Sequence, residues 1–114
     1  MLTRVTNEMN RMWEAFIKHT PHFAGKVSIV GHSLGSIIAH DILSAQPPRN
    51  APPETVTEQA RKVPILKFDP ELFLACGSPI GTFLSLRADS LDKAKLFKFS
   101  TTKRFYNIFH VSPP

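Results

Sequence analysis

Lys26-Val27-Ser28-Ile29-Val30-Gly31-His32-Ser33-Leu34-Gly35-Ser36-Ile37-Ile38-Ala39-His40-Asp41-Ile42-Leu43 is the stretch that decides how this chain is read. Residues 26–30 are short and rich in β-branched side chains, the composition of a strand. Residues 36–43 are apolar at helical spacing. Between them lies Gly31-His32-Ser33-Leu34-Gly35, a G-x-S-x-G pattern. Bare, such a pattern arises by chance. A strand before it and a helix after it give it a mechanical meaning. The chain must turn sharply, which lifts the Ser33 hydroxyl above the sheet edge at the start of a helix. The backbone N–H of Leu34 then points where an oxyanion would form. Gly31 and Gly35 flank the turn, where side chains are expected to collide with the neighbouring strand and helix. The expected role of Ser33 is that of a nucleophile, and that of Leu34 an oxyanion donor through its backbone, in an acyl-transfer hydrolase or part of one.

Working outward, residues 3–18 read as an amphipathic helix ended by Pro21, with Val5, Met9, Met12, Trp13 and Phe16 on one face. That face is expected to be core. Leu72-Phe73-Leu74-Ala75-Cys76 and Phe105-Tyr106-Asn107-Ile108-Phe109 are two more apolar strand runs. The fold class is α/β, a partial α/β-hydrolase fold. It is a parallel sheet fragment with strands near 26–30, 72–76 and 104–109 and a helix leaving the elbow. A whole sheet of that kind needs about eight strands and roughly 200 residues; this chain has 114. A three-stranded parallel fragment is expected to leave edges unpaired and apolar faces open.

The expected organisation is a hydrolase segment with the elbow at 1–45, a flexible Pro-rich loop at 46–65, and the start of a further unit at 66–114. The loop carries Pro47, Pro48, Pro52, Pro53 and Pro64 among polar residues, and no apolar period survives there. In residues 87–103, Lys93, Lys95, Lys98 and Lys103 interleave with Leu91, Leu96, Phe97 and Phe99. A membrane-surface patch is one reading of that stretch. An exposed loop whose phenylalanines pack inward is favoured, because the spacing gives no clean amphipathic face.

The formal charge is +5 and the pI about 9.7. That balance suits an anionic membrane surface. No RNA-binding or DNA-binding motif accompanies it, so no nucleic-acid partner is expected, and no feature identifies a protein partner. The single cysteine, Cys76, cannot form an internal disulfide and reads as a small buried hydrophobe in a reducing compartment. With no signal peptide and no apolar run long enough to span a bilayer, the expected location is cytoplasmic, peripheral to membranes.

The chain resembles the DDHD-domain intracellular phospholipases A1, the phosphatidic-acid-preferring group. The resemblance rests on Asn7-Glu8-Met9-Asn10, on Phe23 through Ser36, on Phe73-Leu74-Ala75-Cys76-Gly77-Ser78-Pro79-Ile80-Gly81 and on Phe105-Tyr106-Asn107-Ile108-Phe109-His110, in the family's order. The elbow is shared by many hydrolases; the Gly-Ser-Pro strand end followed by Asn-Ile-Phe-His is far more specific. The resemblance implies hydrolysis of a glycerophospholipid acyl ester on the cytosolic face of secretory-pathway membranes, with no cofactor. It also implies a metal-binding signature in the family's C-terminal region. No metal site is expected in this chain, where no His, Cys and Asp grouping has ligand spacing.

The departures from the family matter as much. After the strand matching 104–110 the family runs into a Pro-x-Asp-Pro-Val segment whose Asp fits the triad acid. Here His110 is followed by Val111-Ser112-Pro113-Pro114. The later histidine that would be the general base and the upstream loop giving a second oxyanion donor have no match. Asp89, after the second strand, is the weak alternative for the acid. His32 is expected to pack under the elbow, His40 to lie two turns along the helix, and His19 and His22 at the far edge of the sheet. Ser78 is read as shaping the turn beside Ser33, and Ser36 as capping the elbow helix. The expectation is a fragment of a phospholipase A1-type hydrolase, inactive alone. The alternative is a non-catalytic form that binds anionic lipid or a partner protein.

Overall fold

The computed structural model describes residues 1–56, 58–82 and 98–109. Helix α1 spans Leu2–His19, strand β1 Ser28–His32, helix α2 Leu34–Ser44, the short helix α3 Glu58–Arg61, strand β2 Leu72–Cys76 and strand β3 Arg104–Ile108. The strands form one parallel sheet in the order β1-β2-β3. Ile29, Phe73 and Phe105 stand in register, as do Gly31, Ala75 and Asn107. This is the expected α/β arrangement. The first strand begins and ends two residues later than the apolar run suggests. The ladder holds Gly31 against Ala75 and His32 against Cys76, so the turn waits until Ser33.

Strand alternation divides the sheet into two unlike faces. Phe73 and Ala75 are fully buried against Ala39, Ile42 and Leu43 of α2, with Val63 and Leu66 completing the core. Phe99 returns from the connection before β3 on that same face, where its ring meets Phe73, Phe105 and His40 at 5.9, 6.1 and 5.5 Å. A right-handed crossover from β1 to β2 puts α2 on this face. The opposite face, carrying Val30, Leu74 and Tyr106 and then His32, Cys76 and Ile108, stays open; Val30 is 64% and Ile108 51% exposed. The open apolar face expected of a parallel fragment is therefore present.

The helix α1 departs from expectation in its rotation. Leu2, Val5 and Met9 pack on the core, but the buried residues of the helix are Thr6 and Asn10. Trp13 stacks with Phe16, Phe23 and Phe68 at centroid distances of 6.1, 6.2 and 5.5 Å, while Met12 remains 60% exposed. These side chains line an open apolar groove of about 550 Å³ beside the start of β1 rather than a closed core.

Asn10 turns inward because its amide has a partner there. Its Nδ2 donates to the Ile65 carbonyl and its Oδ1 accepts the Lys67 N–H, both at 2.9 Å. From the other side the buried Gln46 does the same. Its Nε2 donates to Ile42 and Pro64 carbonyls at 3.1 and 3.3 Å, and its Oε1 accepts the Leu66 N–H at 2.9 Å. Residues 64–67 thus cross the core edge outside the sheet, with four of their backbone groups held by two side-chain amides. The Pro-rich segment 46–65, expected as a flexible loop, carries a 3-10 turn at Pro53–Thr55 and α3. Just inside and beyond its ends, Arg49 pairs with Asp69.

At the N-terminal edge of the sheet, Glu71 lies between Lys26 and Lys103, each with Nζ 3.5 Å from a carboxylate oxygen. Partial desolvation pushes the Glu71 carboxyl upward, but Lys103 and Lys26 outweigh it and hold it below the usual carboxylate range.

Two outcomes follow from this packing. Gln46→Ala strands buried backbone groups and should lower unfolding stability by about 2 kcal/mol, read by urea denaturation. A carboxylate with a depressed folded-state pKa stabilises fully above its unfolded value and progressively less as pH falls through its folded value. Urea midpoints taken from pH 6 down to pH 3 should therefore fall more for the native protein than for Glu71→Gln.

Candidate functional site

The site begins where β1 ends. Ser33 has φ 52° and ψ −121°, the only positive φ outside glycine among the described residues. An L-residue held there stores about 1–3 kcal/mol of strain, and persists only where its surroundings over-determine it. They do so here. The Ser33 N–H donates to the Cys76 carbonyl at 3.0 Å, continuing the ladder one step past the strand. Its carbonyl accepts the Ser36 N–H at 3.1 Å, which closes the first turn of α2. Beside it Gly77, at φ 55°, takes β2 out of the sheet at the same level, its N–H bonded to the Ile108 carbonyl at 3.0 Å. The Ser33 side chain is left exposed at the C-terminal edge of the sheet, and Leu34 is 59% exposed.

The two glycines of the motif are not equivalent. A Cβ on Gly31 would stand 2.6 Å from the Ser36 Cα and 2.9 Å from its nitrogen, a clash with helix backbone. The absence of a side chain at Gly31 is what lets α2 pack down on β1. At Gly35 an added Cβ meets nothing within 4 Å, so the collision expected there is not found. Ser36 is fully buried. Its hydroxyl bonds to the Ser33 carbonyl and to the Ser78 hydroxyl, and Ser78 Oγ accepts the Ile80 N–H at 3.0 Å. The sequence placed Ser78 beside Ser33 and Ser36 in the first turn. It did not reveal that the two serines touch, because the contact spans 42 residues.

The histidines stand as follows. His32, expected under the elbow, is exposed instead. Alternation along β1 sends it to the open face, with Nε2 3.7 Å from where a Gly77 Cβ would stand. His40 is buried in α2, its Nδ1 3.6 Å from Asp41 Oδ1 and its ring edge-on to Phe99. His19 and His22 are exposed and precede β1. His32 directly precedes Ser33 in the turn but projects onto the open face, while His19, His22 and His40 lie outside the turn. Asp89, Asp92 and His110 lie outside the described residues. Among the described residues no group of three or more His, Cys, Asp and Glu could hold a metal ion, so no metal chemistry is derived from them. No described helix is long and apolar enough to cross a membrane. The apolar groove along α1 opens at Lys26–Ile29, roughly 15 Å of strand away from Ser33, and is not part of this site.

Comparison with known proteins fits this arrangement. Residues 66–114 match the DDHD domain. A probable mitochondrial phospholipase of Saccharomyces cerevisiae is 31% identical over 124 aligned residues, covering 100% of this chain and 15% of its own length. The intracellular phospholipase A1 of Caenorhabditis elegans is 29% identical over 153 residues, covering 96% of this chain and 18% of its own. Human triacylglycerol hydrolase DDHD2 is 55% identical over 42 residues, 37% of this chain and 6% of its own. No solved structure matches. The class these relatives define is that of lipid ester hydrolases. The chain is similar to DDHD-domain phospholipases, and spans about 15–18% of the length of the first two relatives.

The glycine geometry gives a paired outcome. Gly31→Ala should cost about 2–3 kcal/mol, because backbone must move. Gly35→Ala should leave stability unchanged or raise it by up to about 1 kcal/mol, as expected for glycine replaced in a helix. Thermal unfolding of the two variants measures the difference.

Proposed function

We propose that these residues form the nucleophile segment of a phospholipase A1-type serine hydrolase that cleaves acyl esters of glycerophospholipids. The observation that carries the reading is the strained Ser33, exposed between a parallel strand and a helix. A serine in that conformation presents Oγ to an ester bound at the sheet edge. Ser33 Oγ attacks the ester carbonyl, and the Leu34 N–H stabilises the charge that builds on the carbonyl oxygen. Collapse releases the lysophospholipid and leaves an acyl-serine. Water then attacks the acyl-serine and frees the fatty acid. These steps need no cofactor.

We assign the base that takes the Ser33 proton to neither His32 nor His40: the turn sends His32 away from Ser33, and His40 lies about two turns along α2. The 114 residues alone therefore turn over substrate negligibly; losing even one member of a triad leaves only residual catalysis. By resemblance, the base, the acid and a second oxyanion donor sit in family segments that have no match in these residues, with Asp89 the weaker alternative for the acid. Phosphatidic acid is the favoured substrate by family resemblance, and the basic charge suits its anionic surface. The site of action is the face of a membrane to which the protein binds peripherally, on secretory-pathway membranes by resemblance.

The test is an immunoprecipitate of the native polypeptide, captured through residues 1–25 and offered phosphatidic acid, phosphatidylcholine or triacylglycerol in mixed vesicles. Release of fatty acid and lysophosphatidic acid, with loss of at least about 1,000-fold in Ser33→Ala, is the expected result. Preference for triacylglycerol would move the substrate class. Salt-sensitive vesicle binding with no ester cleavage by any native form would favour a lipid-binding role instead.

A further inference from the structure

The hydrolytic reading makes no use of the serine pair behind the elbow, buried Ser36 and half-buried Ser78. Hydrogen-bond direction along it is fixed by elimination. The Ile80 N–H can only donate, so Ser78 Oγ accepts from it. The Ser33 carbonyl can only accept, so the Ser36 hydroxyl donates its one proton there. The Ser36–Ser78 contact must then run from the Ser78 hydroxyl to Ser36 Oγ. The result is a one-way chain, Ile80 N–H to Ser78 to Ser36 to the Ser33 carbonyl. It reaches from the segment after β2 to the peptide that follows the elbow serine.

That peptide is the one that matters. The Ser33 carbonyl and the Leu34 N–H belong to the same trans, planar unit, so they point in opposite directions. Rotation of this plane about its flanking Cα atoms is the soft motion open to it. The Ser36 N–H at 3.1 Å and the Ser36 hydroxyl together hold the carbonyl end. Holding the carbonyl aims the N–H. We infer that Ser36 and Ser78 are positioning residues that fix the direction of the Leu34 oxyanion donor through the Ser33–Leu34 peptide plane. Ser78 acts only through Ser36, which it orients. Burial makes the arrangement stiff: Ser36 has no exposed surface, so water does not compete for its proton.

The catalytic side of this inference rests on Ser33 being the nucleophile; the geometric side does not. Two measurements therefore separate them. In the 15N-labelled chain, residual dipolar coupling of the Leu34 N–H reports the direction of that bond. Ser36→Ala and Ser78→Ala should shift it while the couplings of Ile38 through Leu43 stay unchanged. Ser78 is only half-buried, so Ser78→Ala keeps the test alive if Ser36→Ala fails to fold. An unmoved Leu34 coupling in folded variants overturns the inference.

In the native polypeptide, with active sites titrated by a fluorophosphonate, Ser36→Ala should lower kcat about tenfold with KM unchanged. That is short of the 100-fold or more that follows loss of a whole donor. Ser78→Thr, which keeps the hydroxyl, should restore what Ser78→Ala loses. The double variant should be no slower than Ser36→Ala alone. Multiplicative losses in the double variant, or an unchanged kcat per titrated site, overturn the relay. Full activity in Ser33→Ala removes the nucleophile reading and the catalytic role with it, whatever the dipolar couplings report.

Discussion

Everything at the functional edge of this molecule depends on how closely the first turn of α2 approaches β1. Gly31 sits under Ser36 with no room for a single carbon atom between them. That contact sets the height of α2 above the sheet, and with it the burial of Ala39, Ile42 and Leu43 against Phe73 and Ala75. It also dictates the strain at Ser33. A strand that must turn into a helix lying so close cannot do so through ordinary backbone angles, and the left-handed conformation at Ser33 is the geometric remainder. Packing on one side of the contact thus sustains strain on the other. Both are parts of one arrangement, since the core contacts of α2 hold the turn closed.

Much of this could be read from the residues in order, because the relevant signals are local. A β-branched run, a glycine-bounded turn and an apolar helix lie side by side between Lys26 and Leu43, so strand, turn and helix each carry their own mark. The runs at 72–76 and near 104–109 were equally plain. The inequality of Gly31 and Gly35 was not legible, since it depends on which side of the turn the helix packs. The exposure of His32 was missed for a related reason: the tight turn suggested a place under the elbow, whereas alternation along β1 sends the side chain to the open face. The stripe of α1 misled most. Its large apolar residues suggested the core-facing side, whereas Asn10 takes the inward position because an amide can satisfy two backbone groups at once.

The sheet itself is lopsided. The crossover from β1 to β2 lies on the face that α2 covers, as a right-handed connection between parallel strands requires. The aromatic cluster of Phe73, Phe99 and Phe105 ties the third strand back to α2 on that side. The charged edge formed by Lys26, Glu71 and Lys103 stands at the opposite end of the strands from Ser33. Polar order at one end and backbone strain at the other is a sensible division. The end that fixes register is kept away from the end that holds an uncommon conformation.

The two amides that grip residues 64–67 have a consequence for how this region tolerates change. Asn10 and Gln46 bind carbonyl and amide groups, which every residue but proline presents alike. The strap is therefore recognised by its main chain, with Leu66 the one side chain committed to the core. Because its far end is anchored independently, the connection from Pro47 to Val63 is not needed to define where β2 begins. Closing a longer connection costs only about 0.6 kcal/mol for each doubling in length. Insertions between the two halves of the molecule should then leave the register of β1 and β2 intact, making this the natural place for the polypeptide to grow.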